Sequence, residues 1–525
     1  MWGKRYSPGL SRWAALVYSP GLSRGAALEC SPGRKPGVSV RLNEAAPEGR
    51  KILEILSPLR GLKSKRISTP GLRPGLHSNA APRLNPGLYT NAAQRLNPRL
   101  HSNAAPRLNP GLHSNAAPRL ILVLLLGAAT CAAQGYTQRG FLENRATLYP
   151  QKAPNDRAKA VGESLFRYEA FYQPSTALQF NGSIDFRLDT HHQVDRDLKL
   201  SWQDREQKRP TGEIRRLSAM YHNGPVTFEA GKQFIRWGKT DIVTPTDRFA
   251  PRDFLTVVDN DFLAITAARL TLEKGANTLD LVWSPRLTPS RIPLPDQRWA
   301  VPPGLPPGVS LRDAGVTFPG GPQSGVRWNH TGAIEYALSL YQGFNHLPSL
   351  DAVPRFTPSG IQVDVSRFYP KMLMAGGDIA IPTRWLTIKG EAAHFSSSDL
   401  RADEFALYVI QVERQAGEWF FVGGYAGEAV TREGTQAADF APDRGLTKTL
   451  LGRAGYTIDA NRSIAFESAI RQDGDGTWTK FEYSQAFGQH WRATANFTLI
   501  RGDVGDFLGQ YRRNSHAILV VRYSF

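Results

Sequence analysis

Between Gly231 and Asp253 the sequence gathers Arg236, Lys239, Asp241, Asp247, Arg248, Arg252 and Asp253, four cations and three carboxylates. Charges of both signs at this density, set on one loop beside a water-filled pore, form a constriction that orients polar solutes. Pro245 and Pro251 fix the backbone at two points, which favours one rigid loop over a floppy tether. A second reading uses the same residues differently. Asp247, Arg248, Arg252 and Asp253 pair with side chains on the pore wall and pin the loop, and the two roles can coexist. A third places the loop on the surface, away from any lumen. Asp185 and Arg187, two residues apart on one face of a strand, are the other charged candidates for a pore lining.

Other chemistries find little support. His191, His192, His222, His330, His394, His490 and His516 are scattered, with no motif that pairs one with a nucleophile. Asp473-Gly-Asp-Gly476 has the start of a calcium loop but lacks its later bidentate Glu, so a tight turn is expected. No Gly-rich phosphate loop opens a helix. The two cysteines are Cys30 and Cys131, which leaves none after residue 135 for disulfides, thiolate catalysis or metal binding. The expectation is a protein that is not an enzyme and carries no cofactor and no metal.

The elements that position these residues read as strands. Leu178, Phe180, Gly182, Ile184, Phe186 and Leu188 share one face of an extended segment, and Gln179, Asn181, Ser183, Asp185, Arg187 and Asp189 share the other. Residues 491–499 alternate in the same way. Further strands are expected at 163–172, 213–221, 226–236, 263–272, 385–395, 406–414, 418–428, 447–457, 462–471 and 477–487. Many are about 10 residues long, enough to cross a bilayer at a tilt, whereas soluble strands average about 5–6. Tight turns at 222–225, 274–277, 382–384, 415–418, 459–461 and 488–489 alternate with long loops at 237–262, 285–327, 396–404, 429–446 and 501–513. The ten prolines between Pro285 and Pro322 exclude regular structure from the second of these, and its Leu294, Trp299 and Leu305 suit capture of a hydrophobic ligand. Trp202, Trp237, Trp283, Trp385, Trp419, Trp478 and Trp491 fall near strand ends, where interfacial girdles stand.

The last strand, Ser515–Phe525, puts Ala517, Leu519, Val521, Tyr523 and Phe525 on one face and ends on an aromatic residue. Tyr523 and Phe525 resemble the assembly signal of bacterial outer-membrane β-barrels. That resemblance implies outer-membrane lipid and the barrel-assembly machinery as partners. Gly231-x-Gln233-x-x-x-Trp237-Gly238, followed by Pro245-x-Asp247-Arg248, resembles a poorly characterised family of bacterial outer-membrane barrels over residues 226–300. It implies a porin-like or transport protein and names no solute. Counting strands back from Phe525, with both termini on the periplasmic side, gives 16 or 18, with 342–372 the ambiguous stretch.

The net charge of +18 is concentrated at one end. Residues 1–120 hold 19 of the 64 basic and 4 of the 46 acidic side chains, which leaves 45 against 42 for the remainder. A nucleic-acid partner is therefore not expected. Residues 1–118 are built on twelve-residue repeats such as Arg83–Gln94, Arg95–Pro106 and Arg107–Pro118, too poor in apolar residues to fold. They read as a disordered basic arm or, preferably, as translation upstream of the true start. Residues 119–135 read as a signal peptide: Arg119, an apolar run from Leu120, then small residues, with cleavage between Ala133 and Gln134 preferred. With Met only at 1, 220, 372 and 374, a non-AUG start within the repeats would bring this signal to an N-terminus.

The expected fold is all-β, a single transmembrane antiparallel barrel of 16–18 strands over residues 136–525. The expected location is the bacterial outer membrane. The expected function is a porin or channel for small solutes, with the charged loop 238–262 narrowing the lumen. An export or assembly barrel for surface polymers and a soluble periplasmic β-rich binding protein are the alternatives.

Overall fold

The computed structural model describes residues 135–525 apart from 242, 302–306, 359 and 436–437. The repeats, the expected signal peptide and the Ala133–Gln134 cleavage point lie outside the described residues, Gly135 excepted.

Eighteen strands form the wall. They are β1 (Tyr136–Leu148), β2 (Ala160–Tyr172), β3 (Leu178–Asp189), β4 (Gly212–Asn223), β5 (Val226–Gln233) and β6 (Ile265–Lys274). They continue as β7 (Asn277–Ser284), β8 (Gln323–His330), β9 (Glu335–Phe344), β10 (Lys371–Pro382), β11 (Thr387–Ser396) and β12 (Glu404–Ala416). The ring ends with β13 (Trp419–Arg432), β14 (Thr449–Thr457), β15 (Arg462–Arg471), β16 (Thr477–Phe487), β17 (Trp491–Arg501) and β18 (His516–Ser524). Each pairs antiparallel with its chain neighbours, and β18 pairs with β1, so the sheet closes and no wall strand is left as an edge. The chain end completes the closure. Gly140 N–H donates to Phe525 O at 2.9 Å and Phe525 N–H donates to Gly140 O at 3.0 Å. A Cβ on Gly140 would stand 2.5 Å from the Phe525 ring, so glycine is required there. Phe525 also stacks on Phe166.

Period-two sequence becomes a two-faced wall. On β3, Phe180, Phe186 and Leu188 are exposed on the outside, while Asn181, Ser183 and Asp185 are buried inside. On β18, Leu519 and Phe525 face out, while His516 and Ile518 face in. The connections at the Phe525 end are two to five residues long, and most of those at the other end are far longer.

Several expectations are corrected. Strands β1, β7, β8, β9 and β10 were not anticipated. On β10, Met372 and Met374 point inward against apolar loop side chains while Leu373 is exposed outside, so both faces are apolar and the alternation disappears. Residues 323–327 belong to β8 and not to the preceding loop. That loop also contains a strand, Val309–Thr317, because no proline interrupts the chain between Pro307 and Pro319. It pairs parallel with Gly360–Phe368, which pairs antiparallel with Ser349–Thr357, and this small sheet accounts for the ambiguous 342–372 region. Trp237 and Trp478 are buried within the barrel and are not girdle residues, whereas Trp283, Trp385, Trp419 and Trp491 are exposed.

Candidate functional site

Loop 234–264, between β5 and β6, folds into the lumen. Asp247 clasps its first turn, since its Oδ1 accepts Trp237 N–H at 2.5 Å and Gly238 N–H at 2.6 Å. Gly238 must lack a side chain, because a Cβ would meet Thr244 at 2.5 Å. Trp237 Nε1 donates to Asp280 on β7 at 3.0 Å. Burial alone would raise the Asp247 carboxyl, yet Arg236 and these amides hold it below the usual carboxylate range.

The clasped turn sits on Glu391 of β11. Glu391 Oε2 accepts the amides of Lys239 at 2.8 Å and Thr240 at 3.0 Å. Oε1 accepts the amide and hydroxyl of Thr246, both at 2.8 Å. With the Thr240 hydroxyl, also 2.8 Å from Oε2, five donors on one buried carboxylate fix the loop's height and rotation together. On either side, Lys239 pairs with Glu335 of β9, and Asp241 pairs with Lys389 of β11 at 3.0 Å and accepts from Gln411 of β12 at 2.6 Å.

The far end of the loop reaches the opposite wall. Asp259 pairs with Arg145 of β1 at 2.5 Å, and Arg145 with Lys480 of β16 keeps its carboxyl low against the effect of burial. β11 and β1 stand eight positions apart in a ring of 18, close to diametrically opposite. The loop is therefore a bar across the barrel.

A buried ionic chain lies beside the bar, on the β1–β5 side. Arg167 holds Asp185 with bonds of 2.7 and 2.6 Å, and Asp185 lies 3.4 Å from Arg187. Arg187 pairs with Glu163 at 3.0 Å, and Glu163 lies 3.5 Å from Arg209. Arg209 and Arg291 share Asp253, at 2.8 and 3.1 Å, and Arg291 continues to Asp204 at 2.9 Å, which also holds Lys232. Burial would raise Asp253, but Arg209 and Arg291 hold it far below its ordinary range. Signs alternate along the chain, so each buried charge has a counter-charge.

The residues singled out from sequence thus divide. Asp185, Arg187 and Asp253 meet in this ionic chain. Arg236, Lys239, Asp241 and Asp247 seat the bar. Arg248 crosses to Asp443 at 3.3 Å and lies over Phe395, and Arg252 bonds Asn260 at 3.1 Å and lies over Phe262. Asp247, Arg248, Arg252 and Asp253 had been expected to pair with strand residues, but Asp247 and Arg252 bond within their own loop, and the ion pairs of Arg248 and Asp253 are with other loops. Glu391, Glu163, Asp204, Arg209 and Arg291 were not foreseen. Each occupies an inward strand position or an unpatterned loop, and only the fold brings it to its partner.

Apolar contacts complete the packing. One cluster joins Ile235, Trp237 and Phe249 of the bar to β6–β12. A second joins Val243, Val257 and Val258 to Trp299, Leu446, Leu508, Tyr511 and the inner faces of β12–β17. Leu294 and Trp299, 5% and 1% exposed, are buried and not free to capture a ligand, while Leu305 lies outside the described residues. Between the bar and β1 lies a cavity of about 30 Å³, lined by Arg145, Glu163, His191, Asp259, Arg298 and Trp299 among others.

His346 and Ser290 tie three loops. Ser290 Oγ accepts Arg252 N–H at 2.8 Å and lies 2.8 Å from His346 Nδ1, while Ser290 N–H donates to His346 O at 2.7 Å. Burial, with Arg248 and Arg252 nearby, pushes the imidazole down to about 3, although Asp443 and Asp247 pull the other way. The imidazole is therefore neutral. Neither residue lines the cavity beside β1. Among the described residues no group of three or more His, Cys, Asp or Glu is placed to hold a metal ion.

No family model matches the chain, and no curated protein matches it. Solved structures do resemble it. A BenF-like porin from Pseudomonas fluorescens Pf-5 is 11% identical with a TM-score of 0.45, over 75% of this chain and 98% of that one. OccK5 (OpdH) from Pseudomonas aeruginosa is 8% identical with a TM-score of 0.44, over 75% and 98%. OccAB4 from Acinetobacter baumannii is 10% identical with a TM-score of 0.43, over 75% and 99%.

Proposed function

We propose that this chain is an outer-membrane channel for small solutes, narrowed by loop 234–264. One observation carries the reading: a closed 18-strand barrel holds a charged bar fastened at Glu391 and at Arg145, on nearly opposite walls. A barrel of this size encloses an aqueous lumen unless loops divide it. Charges of both signs flank the bar, which suits polar solutes that must be turned to pass. The exposed outer belt, with Phe180, Phe186, Leu338, Leu340 and Ile410, supports a lipid environment and disfavours a soluble periplasmic protein. The likeness of Tyr523 and Phe525 to an assembly signal, and of Trp237-Gly238 with Pro245-x-Asp247-Arg248 to an outer-membrane family, favours the same location. Barrel-assembly machinery and membrane lipid are the partners that follow.

The test is single-channel recording in planar bilayers with the refolded barrel. Discrete current steps are expected, and Arg248→Ala and Arg252→Ala should change their size. Absence of any step from protein with heat-modifiable gel mobility overturns the channel reading and leaves an export or assembly barrel.

A further inference from the structure

The two apolar clusters that hold the bar differ in how their polar atoms are satisfied. In the β6–β12 cluster, Trp237 Nε1 donates to Asp280, and the Tyr341 hydroxyl lies 2.6 Å from Gln323 Oε1 and 2.8 Å from Phe344 O. In the β12–β17 cluster, Trp478 Nε1 and the Tyr511 hydroxyl are 2% and 1% exposed and have no hydrogen-bond partner. Burying an indole N–H or a phenol unpaired is unfavourable enough that proteins satisfy nearly all such groups. Two of them in one cluster, where a loop meets a pore wall, indicate a state in which something else occupies the seam.

We infer that the seam between loop 234–264 and the inner faces of β12–β17 is a solute subsite, which takes an apolar body bearing a hydrogen-bond acceptor. It rests on the channel reading and adds a substrate class to it. The acceptor is required because an indole N–H can only donate, and the phenol can donate beside it. The apolar body is required because Val257, Val258, Val409, Val422, Leu451 and Ile500 supply the surrounding surface. A pocket of about 10 Å³ lies at the edge of this cluster, lined by Val243, Phe254 and Leu446 together with Thr244, Arg252 and Asp443. The other sectors are fastened differently. On β1–β5 the ionic chain binds wall to loops, and on β9–β12 Glu391 and its neighbours hold the bar. Along β13–β17 the bar meets the wall through apolar side chains, and its ion pair in this sector is Arg248 with Asp443, on the loop after β13.

Single-channel current is recorded with 4-nitrophenyl β-D-glucoside as probe, D-glucose as control, and each variant normalised to its own ion current. The nitrophenyl glucoside is expected to block for longer than glucose. Trp478→Phe and Tyr511→Phe should each shorten that residence by about threefold to tenfold, the usual worth of one hydrogen bond. A purely structural role predicts the opposite pattern, with residence unchanged and a barrel that is harder to unfold. Equal residence of the two sugars in the parent protein, or unchanged residence in both Phe variants, overturns the subsite while the channel reading stands. Absence of ion current in every bilayer overturns both.

Discussion

Glu391 Oε1 accepts the amide and the hydroxyl of Thr246, each at 2.8 Å, across 145 residues of chain. One wall carboxylate thereby sets where a long loop lies in the lumen. Glu391→Gln keeps the shape but replaces one acceptor with an N–H₂ group facing other donors. At least two of the five bonds are lost, at a cost of about 2–4 kcal/mol. The bar should leave its seat, and single-channel conductance should rise with more flicker. A conductance trace identical to the parent's would show that the seat lies elsewhere.

Asp253 is shared by Arg209 and Arg291. Asp253→Asn leaves two buried guanidiniums facing a neutral amide, which should destabilise the loops by about 3–5 kcal/mol. Adding Arg209→Gln removes one of the stranded charges, so the double variant should be less damaged than the sum of the singles. Urea titration followed by gel mobility measures both. Strict additivity would mean that the pair is not coupled.

The His346 latch responds to acid. In the seated loops its imidazole is held to about 3, and in loops that have left their seat it returns to about 6.5. Unseated loops therefore bind more protons between these values, so seating is strongest above pH 6.5 and weakens as pH falls toward 3. Amide exchange of residues 285–300, corrected for intrinsic rates, should accelerate between pH 7 and pH 5. In His346→Asn the Oδ1 can still accept from Ser290 but does not titrate, so the corrected rates should stay flat over that range. Equal acceleration in both proteins would rule the latch out.

Gly140→Val would drive a side chain into the Phe525 ring and the Arg167 carbonyl, 2.5 and 2.7 Å from the Cβ position. The variant should refold to less heat-modifiable barrel than the parent. Phe525→Ala relieves the contact with the ring alone, so the double variant should recover part of the yield. If Gly140→Val refolds as well as the parent, the seam tolerates more than its geometry implies.

The wall was readable where its two faces differ in chemistry. On β3 the alternation of Phe180, Phe186 and Leu188 with Asn181 and Asp185 gives the strand and both faces directly. It failed on β10, where Met372 and Met374 pack against the bar and the lumenal side is as apolar as the lipid side. Trp478 was misassigned to a girdle although its parity matches Lys480 and Ser484 on the same strand, both buried in the lumen. Parity was the available signal. The loop charges were visible as a group, but their partners were not. Asp253 finds Arg209 and Arg291 on two other loops, and Glu391 is a single acid on an ordinary strand. Local pattern carries strands; pairing between distant loops follows only from closure of the ring.

Closure itself has a consequence for synthesis. Every wall strand meets its predecessor as soon as both exist, except at the join of β18 to β1, where Arg522 reaches Glu143 across 379 residues. A chain cut short anywhere before its last strand keeps two open edges, each a row of unpaired amides and carbonyls. The ring therefore closes only once β18 has been made, with the Gly140–Phe525 backbone bonds beside it. Products truncated before β18 would be left as open sheets, recognisable to proteases by their unpaired edges.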